Sequence, residues 1–162
     1  TQAKTLFPYT TLFRSSTGFN ASYMYNNQDF DNNKVTKETD LNVYFSKEEG
    51  ELTGASDLLL NGDVSYFKEF SNSKNILATL TYNYFSDRIY ALGTGGRGNL
   101  IDKAVNTVDF ILKSALNKKL SLGLTIKNIL DPKVERIQED QNVIVETYKK
   151  GVNFKLSVAY KF

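Results

Sequence analysis

The sequence predicts an all-β fold, an antiparallel up-and-down meander of about six strands whose two faces meet different solvents. Three observations carry this expectation. Six segments alternate apolar and polar residues with a period of two, the connections between them are short and long by turns, and the alternation runs on to an aromatic last residue. In that final stretch Phe154, Leu156, Val158, Tyr160 and Phe162 fall on one face, and Lys155, Ser157, Ala159 and Lys161 on the other. A soluble sheet would lay such a face on a core; an outer-membrane barrel would turn it to lipid, with aromatic residues at headgroup level.

The first segment, residues 19–25, places Phe19, Ala21, Tyr23 and Tyr25 together. The second, 58–66, sets Leu58, Leu60, Gly62, Val64 and Tyr66 opposite Asn61, Asp63 and Ser65. The third, 76–85, sets Ile76, Ala78, Leu80, Tyr82 and Tyr84 against Leu77, Thr79, Thr81 and Asn83. Residues 108–113, 120–127 and 147–162 complete the set, all rich in the β-branched and aromatic residues that suit a pleated surface. The connections 67–75 and 114–119 are short, the latter centred on Asn117, Lys118 and Lys119; those at 26–57, 86–107 and 128–146 are long, charged and rich in Asn, Asp and Gly. Tight turns at one end and long loops at the other are the topology of an outer-membrane barrel. Residues 35–46 also alternate, with Leu41, Val43 and Phe45 on one side; as a further membrane strand they would reverse the side of every earlier turn, so they are read as a strand extension or loop hairpin above the membrane.

At 162 residues and 41% hydrophobic content the chain suits one domain with a modest core. Ten Tyr and eleven Phe accompany no Trp, no Cys and no His, and the mean hydropathy is −0.37. No run approaches the ~18 consecutive apolar residues of a spanning helix, whereas a barrel dilutes each lipid-facing residue with a lumen residue and keeps average hydropathy low. Without His and Cys the commonest general base, metal ligand and thiol nucleophile are gone, so an enzyme is not expected, nor a cofactor or metal. Twenty Lys and Arg are interspersed with eighteen Asp and Glu, which is no nucleic-acid footprint.

Several motifs invite chemistry and are better read otherwise. Gly93-Thr94-Gly95-Gly96-Arg97-Gly98 satisfies G-x-G-x-x-G, and residues 99–116 after it have helical spacing. A dinucleotide site needs a buried apolar strand before the glycines and an acidic residue about 20 positions on; here the preceding stretch is polar and 110–130 hold no Asp or Glu. A glycine-rich surface loop is the better account. Asp29-Phe30-Asp31-Asn32-Asn33 hints at a calcium loop, yet Lys34 stands where glycine is required and Asp40 where glutamate is. Glu48, Glu49 and Glu51 read as a solvated acidic cluster. Tyr66-Phe67-Lys68 and Tyr148-Lys149-Lys150 fit interfacial girdles better than single-strand nucleic-acid stacking.

The first residues lack the apolar core and small-residue cleavage site of an export signal. Residues 5–15 resemble a translated sequencing adapter, so residues 1–17 are expected to be a non-native or disordered leader, residues 18–162 the folded part, and the polypeptide the tail of something longer. A short aromatic strand broken at Pro8 is the alternative.

Residues 52–61 read L-T-G-A-S-D-L-L-L-N, residues 82–89 Y-N-Y-F-S-D-R-I, residues 122–132 L-G-L-T-I-K-N-I-L-D-P, and the chain ends V-A-Y-K-F. In this order they resemble the C-terminal barrel of TonB-dependent outer-membrane receptors. The first is similar to that family's L-x-G-x-S-P-Y-x-x-N, with Asp57 where Pro is usual; the second to its Y-N-Y-x-G-x-R-I; the third to its penultimate strand with an N-L-x-[DN]-P exit. The resemblance implies an active importer, with an upstream plug domain in a barrel of about 22 strands and energy from the inner-membrane TonB complex, contacted through a missing N-terminal part. It also implies that Phe154, Leu156, Val158, Tyr160 and Phe162 form the signal read by the barrel-assembly machinery. The partners expected are outer-membrane lipid, that machinery, and the rest of the barrel and plug, with the protein integral to the outer membrane. The apolar faces would then meet lipid, while Asn61, Asp63, Thr79, Thr81, Asn83, Asp109, Lys113, Thr125, Lys127, Lys155 and Lys161 would meet the lumen. A siderophore, a glycan or a peptide would suit the loops equally. A passive porin-type barrel and a soluble β-sandwich binding module are the alternatives.

Overall fold

The computed structural model describes residues 13–30, 45–70 and 73–162 of the chain. In chain order its strands are β1 (Phe13–Tyr23), β2 (Gln28–Asp29), β3 (Glu49–Gly50), β4 (Leu58–Phe70), β5 (Lys74–Phe85) and β6 (Arg88–Ala91). There follow β7 (Leu100–Asp102), β8 (Val105–Ala115), β9 (Leu120–Lys127), β10 (Lys133–Gln138), β11 (Val143–Lys149) and β12 (Asn153–Tyr160). No helix occurs among the described residues.

The main sheet has six strands in the order β1-β4-β5-β8-β9-β12, every pair antiparallel, and it is open: β1 and β12 are its edges. This is the meander that period-two alternation predicts. Directly opposed residues of an antiparallel pair share a face, so the register decides which side chains stand together. Val64, Leu80, Phe110, Ile126 and Phe154 are successive partners across five strands, and Tyr66, Ala78, Leu112, Leu124 and Leu156 form the next row. On β1, Phe19, Ala21 and Tyr23 oppose Gly62, Leu60 and Leu58 on that same face. The other face carries the rows Asn20-Asn61-Asn83-Thr107 and Gly18-Asp63-Thr81-Asp109. Hydroxyl and amide pairs tie it together, Ser65 to Thr79 at 2.9 Å and Asn83 Nδ2 to Thr107 Oγ1 at 3.3 Å.

Several boundaries differ from those expected. β4, β5 and β8 are longer than the alternating cores of 58–66, 76–85 and 108–113, because polar residues such as Lys68, Lys74 and Asn106 continue the ladder. β1 starts at Phe13, before the expected Phe19, and ends at Tyr23, so Tyr25 lies beyond it. Residues 147–162 are two strands rather than one: Gly151, at φ +80°, takes a left-handed conformation that ends β11 and starts β12 in a different sheet. The expected hairpin at 35–46 lies, but for Phe45 and Ser46, outside the described residues, as do residues 1–12 and Asp31 to Lys34 and Asp40 of the calcium-like stretch.

The connections expected as irregular loops form a second sheet, ordered β11-β10-β7-β6. Its members continue the neighbouring main strands: β5 runs into β6, β7 into β8, β9 into β10 and β11 into β12. Three aspartates pin the bends between the sheets. Asp87 accepts the Ala104 amide at 2.6 Å and pairs with Lys103, Asp109 accepts the Asn128 amide at 2.8 Å, and Asp131 accepts the Gly151 amide at 2.9 Å. β2 and β3 make a small separate pair.

Burial follows the two-sheet plan. Among the described residues Ile89 on β6, 5% exposed, is the one buried apolar side chain; the buried polar residues are Asp102 on β7 and Asn99 just before that strand. Among the described residues the main sheet buries no apolar side chain. Phe154 is 69% and Leu156 75% exposed at one edge of its apolar face, and Leu80 near the middle is 48% exposed.

Candidate functional site

The polar face of the main sheet meets the second sheet at a cavity of about 200 Å³. Phe85, Val105 and Thr107 enter it from the polar face of β5 and β8, Arg88 and Asp102 from β6 and β7, and Tyr148 and Lys150 from the end of β11. Ser56, Ser86 and Asn128 add hydroxyl and amide groups. The serines are held by backbone: Ser56 Oγ donates to the Ser86 carbonyl at 3.0 Å and the Leu58 amide donates to Ser86 Oγ at 3.0 Å. Asn128 sits at φ +60°, its Nδ2 donating to the Gly151 carbonyl at 2.9 Å. Asparagine tolerates that conformation better than most side chains.

Charge is distributed unevenly around this wall. Arg88 Nε and Nη2 reach Asp102 Oδ2 at 3.3 and 3.2 Å, while Arg136 Nε donates to Asp102 Oδ1 at 2.7 Å. Arg136 also meets Glu146 Oε2 at 2.5 Å and lies over the Tyr90 ring, 3.3 Å from its centroid. The hydrogen bond that Arg136 donates to Asp102 holds its guanidinium above the ordinary pKa against some burial. Lys150 has no ion-pair partner among the described residues. A cavity lined by the Lys150 ammonium, two serine hydroxyls and the rings of Phe85 and Tyr148 can hold a polar or anionic small molecule.

The residues expected to face a lumen are brought together. Asn61, Asp63, Thr79, Thr81, Asn83, Asp109, Lys113, Thr125, Lys127 and Lys155 share the polar face by register, and Lys161 follows β12. The expected assembly signal lies on the edge strand: Phe154, Leu156, Val158 and Tyr160 oppose Ile126, Leu124, Leu122 and Leu120. Phe162 lies beyond it, its ring 5.4 Å from that of Tyr160, edge to face. The Lys161 amide donates to the Lys119 carbonyl at 2.8 Å, which fixes the end of the chain beside the tight β8–β9 turn.

The glycine-rich stretch is structural. A Cβ on Gly93 would lie within 2.0 Å of the Arg97 carbonyl oxygen, and Gly95 and Gly96 take φ of +61° and +75°. Asn99 Oδ1 accepts the Gly93 amide at 2.9 Å and closes the loop. In the acidic cluster, Glu49 accepts from Asn27 Nδ2 at 2.9 Å, and Glu51 has its pKa raised by partial burial and then by the nearby Asp57 carboxylate.

Arg88, Asp102, Arg136 and Glu146 were not expected from the sequence. The available signal was a charged residue beside isoleucine, repeated as Arg88-Ile89, Ile101-Asp102 and Arg136-Ile137. Comparison with family models, curated proteins and solved structures finds no match.

Proposed function

We propose that this chain is the C-terminal barrel portion of a TonB-dependent outer-membrane receptor, which imports a nutrient such as a siderophore or glycan. The observation that carries the reading is the apolar face, continuous across six sequentially paired strands and left uncovered by the described residues. A soluble sheet leaving that area in water would be an aggregation hazard, and a β-sandwich needs a second apolar face that the described residues do not supply. From Ile76 to Tyr84 the apolar positions of β5 span about 27 Å at ~3.4 Å per residue, close to the ~25 Å apolar band of outer-membrane barrels. Hydrocarbon tolerates strands only in a closed sheet, so on this reading further strands of the receptor close on the open edges of β1 and β12. In this reading the second sheet stands on the extracellular side, the exposed apolar residues of β12 are presented to the assembly machinery, and outer-membrane lipid, plug and TonB complex are the partners.

The test is made on the full-length gene product in a Gram-negative host. Single cysteines at Leu80 and Val158 should react with a lipid-phase probe in the outer-membrane fraction, while cysteines at Thr81 and Thr125 are spared. A protein recovered in the periplasm, or the opposite labelling pattern, overturns the assignment. Ligand uptake that stops when the inner-membrane energy complex is removed supports active import; uptake that persists makes the barrel a passive pore.

A further inference from the structure

β11 is the outer strand of the second sheet, and all seven of its residues are exposed. Val143, Ile144 and Val145 are 50%, 53% and 56% exposed. Natural proteins usually blunt such an edge with lysine, proline or a covering segment. Here the outward backbone groups lie beside three consecutive β-branched residues, and the nearest lysine, Lys149, is at the end of the strand.

Two cross-strand rows run through the whole sheet and stop at this edge. One is aliphatic: Ile89, Ile101, Ile137 and Ile144 are successive partners on β6, β7, β10 and β11. The row is buried at Ile89 and becomes exposed at Ile144. The other alternates in charge: Arg88, Asp102, Arg136 and Glu146 are successive partners, and each contact between neighbours is an ion pair. Opposite charges across a ladder stabilise pairing and like charges oppose it. The next strand would therefore place a basic residue against Glu146, whose Oε1 has no partner among the described residues, and an aliphatic residue against Ile144.

We infer that the outward edge of β11 is a docking site for an extended strand of a partner polypeptide that carries a basic residue opposite Glu146 and an aliphatic residue opposite Ile144. Backbone hydrogen bonds would supply affinity by strand addition, and the two rows would supply register and selectivity. The site lies in the second sheet on the edge that continues into β12, so on the importer reading the partner strand meets β11 beyond the point where the rest of the barrel closes on β12.

The test uses full-length protein in detergent and a capped, fluorescein-labelled peptide copying Lys133–Gln138 with one alanine inserted after Arg136, because β10 meets β11 through a register shift between Arg136 and Ile137 while Glu146 and Ile144 stand two positions apart. Saturable binding is expected, weakened about tenfold by Arg136→Glu in the peptide. With Glu146→Lys protein the preference should reverse in favour of the Arg136→Glu peptide, a rescue that simple unfolding cannot give. Ile144→Asp, which leaves the Arg136–Glu146 pair in place, should weaken binding by a similar factor. In hydrogen exchange the amides of β11 that face away from β10 should exchange freely alone and slowly with peptide. Absent binding, or equal binding of both peptides, overturns the proposal. So does full protection of those amides without peptide, because a strand of the protein's own polypeptide then occupies the edge. Membrane fractionation is unaffected by any of these outcomes, so failure here is distinct from failure of the importer reading.

Discussion

Arg136 Nε donates to Asp102 Oδ1 at 2.7 Å across the β7–β10 ladder, and that contact joins two connections that the main sheet leaves separate. Asp102 is 9% exposed at its side chain and receives Arg88 on its other oxygen, so one carboxylate serves three strands. The second sheet is held by side-chain pairing over a short ladder, since β7 has only three residues.

Asp102→Asn removes the charge that both guanidiniums share and leaves Arg136, 17% exposed, with Glu146 alone. The expected loss is about 2–3 kcal/mol of local stability. Hydrogen exchange should show faster opening of β7 and β10 with little change in β4 and β5.

A charge placed on either face of β5 should have very different costs if that strand crosses lipid. Leu80→Arg is expected to destabilise the full-length protein in vesicles by about 2–4 kcal/mol, and Thr81→Arg by less than about 1 kcal/mol. Denaturant titration in lipid measures both, and equal costs would remove the two-solvent reading.

Gly93→Ala puts a methyl group into the Arg97 carbonyl and the Gly98 backbone, neither of which is a movable side-chain end. It should cost more than about 2 kcal/mol in the loop that Asn99 closes. Gly62→Ala is the control: the nearest atom a Cβ would meet there is 3.9 Å away, and thermal unfolding should be nearly unchanged.

The Glu51 carboxyl is raised above its ordinary pKa, first by partial burial and then by Asp57. The folded state therefore binds that proton more tightly than the unfolded chain does. Its contribution favours the fold below the unfolded value and is lost as pH rises through the raised one. Glu51→Gln should stabilise the β2–β3 region at about pH 7 and make no difference at about pH 3. Limited proteolysis at the two pH values reads the change, and a mutant less stable at neutral pH would reverse the sign.

How much of this architecture the residues announce differs from sheet to sheet. In the main sheet Leu60, Val64, Leu80, Phe110, Ile126 and Phe154 show their common face by alternation alone, because strand side chains alternate with period two whatever the partner. The long connections gave no such signal. Arg88-Ile89 and Ile101-Asp102 are too short to show a period, and residues 147–162 alternate through a bend that Gly151 makes at φ +80°.

The chain by itself thus determined the fold class, the two faces of each main strand and the end at which the tight turns lie. These are local properties of a pleated backbone. Tertiary structure alone decided that the long connections pair with each other, that Asp102 binds two arginines, that four isoleucines form one row, and that β11 is left as an edge. Each of these depends on the register between strands distant in sequence, and register is fixed by many weak cross-strand contacts at once.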